Sequence, residues 1–285
     1  MSEKTPRALT LIPHAHTVVM GVINLSPHSF YNSLPDFSDA LKKAEEMMLQ
    51  GALIIDVGAV ATNPTVKMDS DIPSVQQELD MVIPFVEALS KKINVTISVD
   101  TSSAVVMASA VNAGAQMIND QCALTRENAL KTAVKLQVPV CLMHHFNPAR
   151  KPGSSTCVEL LAQIKNDLQN DISRCLEAGM LREHIIIDPG FGGGHFGKSL
   201  DENFYLLAHL KTIGDLGFPV LVGLSRKSMF AEIQSEIKDR LPASIAGAVI
   251  AAMQGASIIR VHDVKETVDA MKVIQKMCEL TDKIT

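Results

Sequence analysis

The chain reads as an α/β protein built as a single-domain (β/α)8 TIM barrel, and three observations carry that expectation. Short apolar runs alternate with longer helical stretches along almost the whole chain. The runs are apolar at successive positions instead of every second one, as in parallel strands buried on both faces. Nearly every run ends in a polar or charged residue. In a closed parallel barrel those ends converge on one face, where barrel enzymes keep their chemistry.

The runs span 18–24, 53–58, 94–100, 116–120, 138–144, 184–188, 219–225 and 257–263. Between them lie helical patterns such as SDALKKAEEMMLQGA and SIAGAVIAAMQGA. Gly51, Gly114, Gly179 and Gly255 stand where a left-handed residue would stop a helix before the next strand. Eight βα units with no reversal point favour closure over a doubly wound open sheet. The length of 285 residues suits one barrel, which typically takes about 250. Residues 1–17 are expected to precede the barrel and 18–285 to form it.

Composition narrows the function. A hydrophobic share of 47% allows a large core, and a net charge of −5 argues against a nucleic-acid or anionic-membrane surface. No apolar run approaches the roughly 20 residues that a membrane span needs. The N-terminal stretch lacks the apolar centre of a signal peptide. The 5 cysteines are scattered without a C-x-x-C pair, as expected for reduced thiols in the cytoplasm.

The strand ends supply Asn24, Asp56, Asp100, Asn119 with Asp120, His144, Asp188, Ser225-Arg226-Lys227 and Arg260-x-His262-Asp263. Asp120 and Asp263, taken singly, are equally well read as helix N-caps. The acids and Asn119 fall early and the cations late. That division suits a ligand with a donor-rich heterocycle at one end and phosphate at the other, because barrels often bind phosphate near strands 7 and 8. His14-x-His16 and His144-His145 lack a third ligand and read as loop or surface residues, not a metal site. Of the second pair, His144 is expected to face the pocket and His145 to point away.

The stretches GVINLSPHSF, GALIIDVGA, ISVDTSSAVVMASAVNAGAQMIND, VCLMHH, IIIDPGFG, PVLVGLSRKSMF and GASIIRVHDV resemble the dihydropteroate synthase family from Met20 to about Lys272. DPGFG, SRKS and RVHDV together, at the ends of strands 6, 7 and 8, are the specific part. The resemblance implies a folate-biosynthetic transferase, in which p-aminobenzoate displaces pyrophosphate from a hydroxymethyl-dihydropterin diphosphate. It implies pterin contacts from Asp56, Asp100, Asn119, Asp188 and Lys227. It implies diphosphate contacts from Asn24, Thr62, Arg260 and His262, and a Mg²⁺ ion at Asn24. Thr62, Pro64, Phe196, Ser225 and Arg226 would meet p-aminobenzoate. Lys227, Arg260 and His262 would carry the chemistry, with no covalent intermediate, and a homodimer would form through the last helices.

Three segments depart from the family pattern. The first loop, usually N-x-T-P-D-S-F-S-D-G-G, is Asn24-Leu25-Ser26-Pro27-His28-Ser29-Phe30-Tyr31-Asn32-Ser33-Leu34. The usual E-S-T-R-P-G after strand 2 keeps Thr62 and Pro64 but has Asn63 for Arg. The usual D-P-G-F-G-F-G-K is stretched between Asp188 and Lys198 by three residues, Gly193-Gly194-His195 or an equivalent frame. The p-aminobenzoate pocket is therefore expected to be reshaped, with weaker sulfonamide binding and Phe196 as its aromatic residue.

Rival readings remain. Gly192-x-x-x-x-Gly197-Lys198-Ser199 matches the P-loop pattern of nucleotide-binding proteins. A pterin-dependent methyltransferase uses a related barrel, but the late cations disfavour it. A non-catalytic or altered-substrate pterin-binding homologue is the alternative to the synthase.

Overall fold

The computed structural model describes residues 17–25, 37–59, 73–146, 149–193 and 196–281. Eight parallel strands alternate with helices: β1 (Val18–Asn24), α1 (Phe37–Leu49), β2 (Ile54–Gly58), α2 (Val75–Lys92), β3 (Thr96–Asp100), α3 (Ala104–Ala113), β4 (Met117–Asp120), α4 (Ala129–Leu136), β5 (Val140–Met143), α5 (Cys157–Glu177), β6 (Ile185–Asp188), α6 (Leu200–Ala208), the single turn α7 (Lys211–Gly214), β7 (Leu221–Val222), α8 (Leu241–Met253), β8 (Ile258–Val261) and α9 (Val264–Thr281). The strand order is β6-β5-β4-β3-β2-β1-β8-β7. A parallel bridge between Ile187 and Val220 joins the two ends and closes the barrel.

Local chemistry sets the boundaries. Ser74 with Gln77, Thr156 with Glu159 and Ser199 with Glu202 form reciprocal capping boxes that start α2, α5 and α6. Gly114 ends α3 at φ +118° and returns its N–H to Ala110 and Val111. Gly51, Gly179 and Gly255 also stand at positive φ between helix and strand, as the sequence predicts. β7 is shorter than its apolar run, because the chain turns at Leu224–Lys227, where the Lys227 N–H donates to the Leu224 carbonyl. Arg226 adopts φ +57° in that turn.

Strand alternation divides the core in two. Val18, Met20, Ile54, Met117, Cys141, Ile186, Leu221 and Ile258 form a plug inside the barrel. Their immediate neighbours, including Val19, Ile55, Ile118, Leu142, Ile187 and Ile259, pack outward into the larger core shared with the helices. Side chains alternate with period two along a strand. The residue two positions beyond each plug residue therefore also faces inward, one layer nearer the C-terminal mouth. In β2, β4, β6 and β8 those residues are Asp56, Asn119, Asp188 and Arg260. The plug thus serves as the floor of a polar layer.

Candidate active site

The inward layer is built around Arg260. Its Nε donates to Asp56 Oδ2 at 2.6 Å and its Nη2 to Asp100 Oδ2 at 2.8 Å. Asn119 Nδ2 donates to the same Asp56 oxygen at 3.1 Å. Gln121 Nε2 donates to both oxygens of Asp100, at 2.8 and 3.0 Å. Asp56 is fully buried, and its Oδ1 has no hydrogen-bond partner among the described residues. A buried carboxylate oxygen without a donor is costly, so this atom marks where a ligand N–H fits. Gln121 belongs to the cluster but is not among the sequence candidates. Its signal was parity, since it lies two positions beyond Asn119.

Asp188 accepts from the Gly190 N–H at 2.7 Å. Burial raises its pKa, opposed first by Lys227 and then by the Gly190 N–H and Lys198. Burial also raises Asp100, to about 7, against the pull of Arg260. Lys227 is lowered by burial to about 8, with Asp188 opposing. Its ammonium donates to the Phe191 carbonyl and lies 4.7 Å from the centre of the Phe196 ring. Phe196 is therefore the aromatic that the stretched loop brings to Lys227. Gly194 and His195 lie outside the described residues.

His262 Nδ1 and backbone N–H meet Ser225 Oγ at 3.0 and 3.3 Å. Burial, then Arg260, lowers the imidazole to about 4. It is neutral near pH 7 and offers a hydrogen bond, not the positive charge expected from the sequence. Burial disfavours the charged guanidinium of Arg260, but Asp56 and Asp100 outweigh it and raise its pKa above the ordinary value.

Other strand-end residues do not join this layer. Arg226, expected at a p-aminobenzoate site, is buried in a bidentate pair with Asp263, Nε to Oδ2 at 2.8 Å and Nη2 to Oδ1 at 2.7 Å. Its Nη1 donates to the Ile237 and Lys238 carbonyls at 3.1 and 2.7 Å. At least four of its five N–H groups are thus engaged by the protein, which argues against the expected ligand role. Asp120 faces the helix side, where it accepts from the Cys122 and Leu124 N–H groups and from Ser102. The expectation for His144 is also corrected, since its Nε2 lies 3.1 Å from Asp167 of α5. Thr62, Asn63, Pro64 and most of the first loop lie outside the described residues.

The P-loop reading fails on geometry. Lys198 Nζ is buried and donates to the Gly190 carbonyl of its own loop at 2.7 Å. The Ser199 hydroxyl accepts from the Glu202 N–H as the N-cap of α6. A cleft of about 610 Å³ beside the β5–α5 loop, lined in part by His145, Phe146, Arg150 and Asp167, does not include the inward acids.

Residues 20–262 match the family model described as pterin binding enzyme. The dihydropteroate synthase of Escherichia coli (strain K12) is 43% identical over 273 residues, 93% of either chain. That of Haemophilus influenzae is 44% identical over 261 residues, 90% of this chain and 92% of the relative. A Coxiella burnetii dihydropteroate synthase solved in complex with pteroic acid superposes with a TM-score of 0.88 at 48% identity, covering 92% of this chain and 94% of that one. The Yersinia pestis enzyme in a sulfonamide drug complex gives a TM-score of 0.85 at 42% identity, over 93% and 95%.

The placement of Arg226 has a measurable consequence. Arg226→Ala leaves Asp263 as an unpaired carboxylate and frees two carbonyls, so urea unfolding should show a loss of about 3 kcal/mol. An unchanged midpoint would return Arg226 to the list of ligand residues.

Proposed function

The chain belongs to the pterin-binding enzyme family, and from that membership and the inward acid layer we infer that it is a dihydropteroate synthase. It transfers the dihydropterin-methyl group of a 6-hydroxymethyl-7,8-dihydropterin diphosphate to p-aminobenzoate. The single observation that carries the assignment of roles is the bare, buried Asp56 Oδ1 beside Asp100, Asn119 and Asp188. A reduced pterin presents amino and ring N–H donors along one edge, and carboxylates that accept them pairwise hold it in one orientation.

In this reading Asp188, Asp56 and Asp100 accept from the pterin edge, while Asn119 and Lys227 complete its polar contacts. Asn24, Arg260 and His262 face the diphosphate, and the family resemblance adds Thr62 as a further diphosphate contact. Phe196, Ser225, Thr62 and Pro64 border p-aminobenzoate. The aniline nitrogen attacks the methylene carbon as the C–O bond breaks. The bonding pair leaves with pyrophosphate, and the arylamine proton goes to pyrophosphate or solvent. Arg260 and the neutral His262 stabilise the developing negative charge as fixed donors in a site largely closed to water. A neutral arylamine needs no general base to become nucleophilic.

The donor set fits Mg²⁺. Asn24, at the end of β1, offers one neutral oxygen. That suits an ion that keeps several waters and takes phosphate oxygens. When bound, Mg²⁺ would neutralise charge on the leaving diphosphate. The stretched loop at Phe196 supports reduced sulfonamide sensitivity.

No helix among the described residues is long and apolar enough to cross a membrane. The 5 cysteines are free thiols, which fits the cytoplasm. A homodimer is supported by Ile250 and Met253 on α8 and Val273 and Leu280 on α9, which expose 44%, 64%, 70% and 51% of their surface. Sedimentation should give twice the 30.8 kDa chain mass; a species of single-chain mass at micromolar concentration would contradict it.

The purified protein should release pyrophosphate and dihydropteroate from the two substrates with Mg²⁺, and lose turnover with EDTA. Asp188→Ala should cost at least about 100-fold in kcat/KM, and sulfamethoxazole should inhibit weakly. Tight pterin binding without turnover would instead indicate a non-catalytic or altered-substrate homologue.

The pH dependence follows from two groups. Asp100 must be ionised to accept from the pterin, so kcat/KM for the pterin diphosphate should fall as pH drops through about 7. Lys227 must be protonated to donate, so it should fall again as pH rises through about 8. Lys227→Arg should abolish the alkaline limb. A profile flat from about pH 6 to 9 would contradict both roles.

A further inference from the structure

The loop that carries Phe191 and Phe196 to Lys227 is fastened from outside the site by a buried ion pair. Arg150, in the β5–α5 loop, donates from Nη2 to Glu202 Oε1 at 2.7 Å and from Nη1 to Oε2 at 3.2 Å. The two side chains are 8% and 2% exposed. Arg150 Nη1 also donates to the Gly197 carbonyl at 2.9 Å, and Nη2 to Ser155 Oγ at 2.7 Å. Glu202, in the first turn of α6, further accepts from the N–H groups of Gly153 at 3.1 Å and Ser199 at 2.7 Å. Arg150 and Lys198 lie 5.4 and 5.1 Å from the centre of the Phe146 ring.

The two loops meet closely as well. Gly197 sits at φ +68°, and a Cβ there would come within 2.9 Å of the Phe146 ring and 3.3 Å of the Arg150 carbonyl. The contacts of Arg150 with Glu202 and the Gly197 carbonyl, and of the Gly153 N–H with Glu202, tie the β5–α5 loop to the β6–α6 loop. A buried ion pair contributes little net stability compared with apolar residues of similar size, and its best-attested use is to fix one arrangement among several. The loop it fixes here is the one stretched relative to the family pattern, and it reaches Lys227 by the Phe191 carbonyl and the Phe196 ring.

We propose that Arg150 and Glu202 are positioning residues for the arylamine substrate: their ion pair holds the stretched β6–α6 loop so that Phe196 borders p-aminobenzoate. This rests on the synthase reading above. Of the pterin groups, Asp56 and Asp100 are held by Arg260, Asn119 and Gln121, none of which lies in either loop. Asp188 and Lys227 touch the loop at Gly190 and Phe191, so p-aminobenzoate should respond more strongly to loss of the pair than the pterin.

The test is steady-state kinetics of the full chain and its Arg150→Met and Glu202→Gln variants, with thermal unfolding recorded alongside. The KM for p-aminobenzoate should rise about tenfold. The KM for the pterin diphosphate and kcat should change by clearly less, no more than about threefold, through the loop's contact with Lys227. Arg150→Lys, which keeps one charged contact but not the bidentate one, should fall between. If Arg150→Met does not fold, Glu202→Gln, which keeps shape and one acceptor, carries the comparison. A lower unfolding midpoint with an unchanged p-aminobenzoate KM, or both KM values rising together, would overturn the proposal while leaving the synthase reading intact. No turnover by the parent protein would overturn the synthase reading and this proposal with it.

Discussion

Arg260 reaches from β8 across β1 to carboxylates on β2 and β3, and much of the barrel mouth depends on that double ion pair. A guanidinium placed between two buried acids is tolerable only while both partners are present, since removing either leaves a charge without compensation. The pair therefore ties three strands to one relative register. A one-residue slip of β2 would turn Asp56 into the apolar layer beneath the helices and bring Ile55 or Val57 into the mouth. The ligand-facing chemistry and the register of β2, β3 and β8 thus rest on the same atoms.

The plug beneath gives this arrangement its floor. With Met20, Ile54, Met117 and Ile186 filling the barrel below, the polar layer opens only toward the C-terminal mouth. Asp56, Asp100 and Asp188 are buried there, and the Asp56 Oδ1 lone pairs stay unused until a donor-bearing ligand arrives. That is electrostatic preorganisation in the ordinary sense: the groups are fixed by the fold before the substrate binds, and no reorganisation is needed at the moment of reaction.

Much of this was visible in the residues themselves. The strand runs, the helix-stopping glycines and the accumulation of polar strand ends all follow from local chemistry, and the barrel follows from their number and order. Which polar strand end faces inward was not visible. Strands buried on both faces carry no alternation in hydropathy, so Asn119 and Asp120, adjacent in the sequence, read alike. Only the structure turns Asn119 into the mouth and Asp120 toward the helices, and only it sends Arg226 to Asp263 and His144 to Asp167. The Arg150–Glu202 pair spans two loops 52 positions apart and had no sequence signal, because neither residue belongs to a motif. The charge state of His262 was likewise hidden, since it depends on burial beside Arg260.

The central claim is that the acid layer is a pterin site, and a crystal structure of the protein soaked with a 6-hydroxymethylpterin tests it most directly. The account predicts the heterocycle directly above the plug, with its N–H edge on Asp188 and one donor on Asp56 Oδ1. A pterin bound elsewhere, for instance in the cleft beside Phe146 and Arg150, with the acid layer vacant at saturating ligand, would contradict it.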